Sequence, residues 1–498
     1  MNVNPITRLD YPDPDVIRVE DTYYMVSTTM HFMPGCEILQ SFDLVHWEHV
    51  TYVYETLDHT DAQQLKSGQN IYGQGMWAAS LRYHEGRFCI CFVANDTRKT
   101  YLYTSEKIDG PWKKQLIEGF YHDGSLLFDE DGRNYIVYGN DEIWITELNE
   151  DLTAPKKDGL HRLLVSDHKN PELGYEGSHI QKINGYYYIF LVHSLRDRWM
   201  RTEACFYSDS LEGEFTGGDV LCDDRGYCGQ GVAQGGIVDT PDGKWYAMLF
   251  QDSGAVGRIP ILLPVTWKDH FPFFGQNGHV PEEIEVHSTR PGYIYQPLVG
   301  SDDFCNGLLP RWQFNHDPDP RYYHLDALQG TYTITTREVC TELTQAVNTL
   351  TQRMSYPSCA AEVTVDASAL KEGDVAGLCA LQSCYAAVGI TKHHGKYEVL
   401  MLDKKEDGIL DMTEGTVVES HQMDFRLEAD FCNMKDEARC YYRVNKGDWL
   451  PIGNVHKLYF KLDHFTGCRF GLFCYAAEET GGSACFRDFK YYDVDEIS

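Results

Sequence analysis

Basic residues are scarce in this chain, with 43 Lys and Arg against 75 Asp and Glu across 498 residues, so the formal net charge is −32 at pH 7. A field of that sign repels phosphate backbones and anionic lipid surfaces, which argues against a nucleic-acid or membrane partner. Runs of about 18 apolar residues, which a membrane-spanning helix requires, are absent. Met1–Asp10 lacks a basic segment followed by an apolar stretch, and the expectation is a soluble, unexported, cytoplasmic protein. The 16 cysteines show no Cys-x-x-Cys spacing, so no zinc or redox motif is read from them, and settings such as Phe88-Cys89-Ile90-Cys91-Phe92 read as reduced core thiols. Long helical periodicity is rare and no glycine-rich phosphate loop follows a strand, which disfavours a doubly wound α/β fold.

What is plentiful is aromatic residues, 13% of the chain with 33 Tyr and 9 Trp, in β-branched and aromatic runs broken by Gly, Asp, Asn or Pro. That texture predicts an all-β protein. Five segments share a turn pair followed by an aromatic-rich strand: Glu20-Asp21, Glu85-Gly86, Asp131-Gly132, Asn184-Gly185 and Asp242-Gly243. Asn-Gly and Asp-Gly supply the positive φ angles of tight hairpins. The copies lie 65, 46, 53 and 58 positions apart, the length of a four-stranded propeller blade with variable loops. The prediction is a five-bladed β-propeller over residues 1–296, followed by an antiparallel β-sandwich over 297–498, since the chain is longer than one core normally organises.

Nine positions before the second turn residue stand Trp77, Asp123, Glu176 and Gln234, and eight before Asp21 stands Asp13. In a propeller such positions fall near the start of each innermost strand and form a ring around one end of the channel. Asp beside Pro or Gly is ordinarily a solvated turn residue. Three acids at matched depth in one channel repel one another, however, and stability gives a fold no reason to collect them. Paired carboxylates of this kind suit glycosidic bond cleavage, one protonating the departing oxygen and one acting on the opposite face of the sugar. A third acid raises the proton donor's pKa by like-charge repulsion. Trp77 offers an apolar platform for the C–H face of a sugar ring.

The residues resemble family 43 glycoside hydrolases of the β-xylosidase and α-L-arabinofuranosidase type, along nearly the whole chain. Tyr11-Pro12-Asp13-Pro14-Asp15 is similar to the family segment carrying the general base, Tyr121-His122-Asp123-Gly124-Ser125 to that of the pKa-modulating aspartate, and Tyr175-Glu176-Gly177-Ser178-His179 to that of the general acid. The resemblance thus implies catalytic roles for Asp13, Asp123 and Glu176. It also implies substrate contacts from Trp77, from Phe32 in Phe32-Met33-Pro34-Gly35, and from Arg258. Many relatives carry a fifth-blade His that helps hold a central calcium ion, but Gln234 stands there, and neither a metal nor a cofactor is expected.

For the second domain the resemblance implies a concanavalin A-like sandwich that packs on the propeller and narrows the pocket with a loop. Trp312, Phe314, Tyr322 and Tyr323 are candidates for that loop or for core packing. The function implied is an inverting, exo-acting hydrolase that releases xylose and/or arabinose from the non-reducing ends of plant-derived oligosaccharides, as in xylan degradation. Two alternatives stay open, a retaining five-bladed furanosidase and a non-catalytic carbohydrate-binding propeller. Homo-oligomerisation stays open as well.

Overall fold

The computed structural model describes residues 3–413 and 415–493, so the outer limits assigned to the two domains, 1 and 498, lie outside the described residues. Every regular element among the described residues is a strand or a short 3-10 turn. None is a helix long and apolar enough to cross a membrane.

Residues Asp15–Phe274 form five antiparallel four-stranded blades, each paired in simple sequence order. Their innermost strands, Asp15–Val19, Met76–His84, Ser125–Phe128, Glu176–Ile183 and Val232–Asp239, touch in ring order, and the fifth closes on the first. Strands with both faces covered are continuously apolar, as in Arg87–Ala94, where seven of eight residues are buried. The N-terminal segment clamps the ring: Asn4 exchanges hydrogen bonds with the backbone of Leu262, and Ile6 N–H donates to Pro260.

The hairpins explain the unequal count from turn to ring. Blades one, two and four turn in two residues, with pairs Val19↔Thr22, His84↔Arg87 and Ile183↔Tyr186, whereas blades three and five use five, between Phe128↔Asn134 and Asp239↔Trp245. Correcting for loop type aligns Asp13, Ala78, Asp123, Gly177 and Gln234, and all five are left-handed, with φ of 53°, 35°, 48°, 66° and 63°. Four of them carry a Cβ, so each holds a conformation that side chains disfavour. Trp77 and Glu176 therefore stand one residue nearer the mouth than the turn count places them, level with His122. β-Bulges between Trp77 and Ser80, Glu176 and His179, and Ala233 and Gly236 absorb this turn of the chain.

The second body is a sandwich of a seven-stranded sheet and a sheet of eight of its own strands, to which one propeller strand adds a ninth. Its large apolar core includes Leu378, Val388, Phe425, Phe470 and Phe486, and it takes in Ala255, Val256 and Ile259 from blade five. The two bodies also share a sheet, because Phe32–Met33 of blade one pairs antiparallel with Gln313–Asn315 at the edge of the nine-stranded sheet. Arg353 of the sandwich ion-pairs with Glu37 of blade one at 2.8 Å, both nearly fully buried. Burial opposes ionisation of Glu37, but Arg353 and His49 outweigh it and hold its carboxyl at about 2.

Candidate active site

The left-handed ring gathers the predicted acids at one end of the channel. Asp13 is buried; its Oδ2 accepts from Thr28 Oγ1 at 2.6 Å and its Oδ1 from Arg258 Nη1 at 3.1 Å. Thr28 Oγ1 in turn accepts from the backbone of Ala78, which ties blade two to the same acid. Asp123, also buried, accepts from Gly177 N–H through Oδ2 at 3.0 Å, and Glu176 Oε2 accepts from Asn140 Nδ2 at 2.8 Å. Alone among the ring positions, Gly177 lacks a Cβ, and one built there would lie 2.7 Å from Gln234 Cγ.

His122 stands between two of these acids, with Nε2 3.5 Å from Asp123 Oδ2 and 3.6 Å from Glu176 Oε2. Asp123, and then Glu176, hold its imidazole up at about 9 in spite of burial. Burial first, with Glu176 and Asp13 adding to it, pushes Asp123 up to about 6 against the pull of His122. Two positions below Asp13, Asp15 is fully buried between Arg82 Nη1 at 2.8 Å and His179 Nδ1 at 3.2 Å. Burial works against its ionised form, yet those partners keep its carboxyl below the ordinary range.

Aromatic rings close the mouth. The Trp77 ring lies 6.2 Å from His122 and 5.3 Å from Phe465, which the sandwich supplies. The Arg258 guanidinium packs 4.3 Å from the Phe465 centroid while holding Asp13, so one cation touches the propeller acid and the sandwich ring.

Two sequence profiles match the chain: "Glycosyl hydrolases family 43" over residues 3–272, and "Beta xylosidase C-terminal Concanavalin A-like domain" over residues 301–492. The chain belongs to glycosyl hydrolase family 43. The family 43 chain is 42% identical to the solved structure of a bifunctional GH43-CE protein from Bacteroides eggerthii, with a TM-score of 0.93. The alignment covers 99% of this chain and 64% of that one, so the chain spans less than two thirds of that relative. It is 26% identical to a β-xylosidase of Formosa agariphila over 99% of this chain and 89% of the relative. It is also 24% identical to the non-reducing end α-L-arabinofuranosidase BoGH43B of Bacteroides ovatus, over 82% and 79% respectively.

Of the predicted substrate contacts in this family 43 enzyme, Trp77 lies at the funnel wall. Arg258 is 2% exposed and faces Asp13 and Phe465, with its Nε buried and unpartnered. Phe32 lies in the seam between the bodies, 2% exposed, with the Arg469 guanidinium 3.4 Å from its centroid and the His31 ring 4.3 Å away. The cavity below the acids, lined by residues including Asp13, Asp123, Ser178 and Gln234, measures about 10 Å³, and the fifth-blade position facing it offers the amide of Gln234 in place of an imidazole.

Of the two readings of Trp312, Phe314, Tyr322 and Tyr323, core packing holds for Trp312, Phe314 and Tyr323, and the sandwich aromatic beside Trp77 is Phe465. Trp312 and Phe314 are buried in the sandwich core, where burial of large rings is most favourable, and Tyr323 packs against that core. Phe465 adopts a left-handed φ of 57°. Its loop is pinned because Asp10 accepts from Gly467 N–H through Oδ2 at 2.8 Å and from Arg258 N–H through Oδ1 at 2.7 Å. Any Cβ at Gly467 would lie 2.1 Å from the Val256 carbonyl oxygen. His464-Phe465-Thr466-Gly467 carries no repeat or spacing signal that would have singled it out.

Proposed function

We propose that the chain is an exo-acting, inverting glycosidase that releases xylose and/or arabinose from the non-reducing ends of plant-derived oligosaccharides. In this reading Asp13 removes a proton from a water that attacks the anomeric carbon, while Glu176 protonates the departing glycosidic oxygen from the other side. Asp123 orients Glu176 through the neighbouring Gly177 N–H. Arg258 and Thr28 hold the Asp13 carboxylate in place at the channel mouth.

One observation carries the reading: Asp13 and Asp123 occupy the same left-handed ring position in blades one and three, with Glu176 one step outward beside Asp123. The names of the Formosa and Bacteroides ovatus relatives support the choice of sugars. We place the domain junction near residue 297 and the protein in a reducing, cytoplasmic setting, supported by its 16 unpaired cysteines. Release of nitrophenol from the β-xyloside and the α-arabinofuranoside tests the reading. Turnover of at least one is expected, and binding without release across a broad glycoside panel would contradict it.

A further inference from the structure

We propose that His122, Asp123 and Glu176 form a binding site for a borderline-soft divalent cation such as zinc, copper or nickel, and that the bound cation holds the hydrolase inactive. One donor atom from each residue falls within 4.8 Å of the other two. Donors at about 2.0–2.1 Å around a tetrahedral zinc stand roughly 3.3–3.5 Å apart. The separations of His122 Nε2 from Asp123 Oδ2 and Glu176 Oε2, 3.5 and 3.6 Å, are close to that spacing.

The fold produces this convergence. His122 and Glu176 hold the same register position in adjacent blades, and Asp123 follows His122 into the left-handed ring position. His122 Nε2 is buried between the two carboxylates, 3.5 and 3.6 Å from them, and a cation that binds there displaces the proton shared within this cluster. Both carboxylate oxygens are already oriented by one protein hydrogen bond each, from Gly177 N–H and Asn140 Nδ2, the outer-shell support that metal ligands normally have. One imidazole with two carboxylates suits zinc, copper or nickel, whereas magnesium and calcium prefer oxygen ligands alone. Asp123 also lines the small cavity beneath, whereas His122 and Glu176 do not, so the three donors converge on the mouth side of it.

A cation here holds the Glu176 carboxylate in its ionised form and so withdraws it from proton donation. The inhibitory half therefore rests on the assignment of Glu176 as general acid, while the binding half does not. The test is titration of chelator-stripped enzyme with ZnCl₂, CaCl₂ and MgCl₂, with binding read by competition against a chromophoric chelator and turnover read on a nitrophenyl glycoside. The exposed thiols, Cys222, Cys228, Cys305 and Cys432, are alkylated beforehand, because they bind the same ions.

One equivalent of zinc is expected to bind, to inhibit turnover, and to be removed by EDTA, with calcium and magnesium ineffective. His122→Phe and His122→Asn, each compared with its own metal-free rate, should weaken zinc binding by roughly tenfold or more. Zinc affinity unchanged in both folded variants, or zinc binding lost on thiol alkylation, overturns the site. His122-dependent binding that leaves turnover intact overturns the inhibitory half while the metal site stands, and the dependence of Glu176→Gln on leaving group decides separately whether Glu176 is the acid.

Discussion

Each of the five blades sets one left-handed residue at the channel mouth, whereas the sandwich reaches the same place with a single loop carrying Phe465. The propeller thus builds its part of the site by repetition, which brings Asp13, Asp123 and Glu176 together from distant stretches of chain. The sandwich builds a large apolar core and contributes one ring, held by Asp10 and Arg258. The difference teaches that charge chemistry sits where the fold repeats, while substrate enclosure depends on a contact between the two bodies.

The sharpest way to break this division is Asp13→Asn, expected to lower turnover by roughly 10³-fold or more on every substrate, since general-base catalysis is lost whatever the leaving group. Comparable residual hydrolysis in initial-rate assays would remove the propeller's claim to the chemistry. Glu176→Gln is expected to lose on the order of 10²–10⁴-fold on xylo-oligosaccharides and far less on activated aryl glycosides, which need little proton donation. Equal losses on both would count against the acid assignment.

On the sandwich side, Arg353→Met leaves Glu37 buried without its main partner and should destabilise the seam by about 3–5 kcal/mol, measured by denaturant unfolding. Phe465→Ala removes the ring over Arg258 but no acid, and should cost about tenfold in kcat/KM, chiefly in KM, if the contact is worth ~1.4 kcal/mol. A loss as deep as that of Asp13→Asn would mean that the sandwich takes part in the chemistry itself.

The same ion pair also gives the seam a pH dependence. Glu37 titrates at about 2 when folded against an ordinary 4.5, so its stabilisation is complete above the ordinary value and is lost as pH falls through the folded one. Glu37→Gln should flatten the acid side of the melting-temperature profile between those values, and an unchanged slope would show that the pair does not couple the bodies.

The five blades were legible because Asn-Gly and Asp-Gly turns have a backbone requirement that sequence shows directly, and so were the three acids counted back from them. The one-residue offset at Trp77 and Glu176 was not legible, since two-residue and five-residue hairpins share the same turn pair. His122 was missed as a neighbour of Glu176 for that reason: only the corrected register puts them side by side. Phe465 left no trace because its position follows from Asp10 and Gly467, hundreds of residues apart in sequence, meeting at the seam. Phe32 shows the opposite failure, a local motif that pointed to the pocket while strand pairing with Gln313–Asn315 drew the residue into the seam.

The most direct test of the central claim is proton NMR of the sugar first released from a β-xyloside or an α-arabinofuranoside. Water activated by Asp13 on the face opposite Glu176 predicts that the product appears with inverted anomeric configuration before mutarotation sets in. A first-formed product of retained configuration would contradict the assignment of Asp13 as the base and, with it, the arrangement of the funnel proposed here.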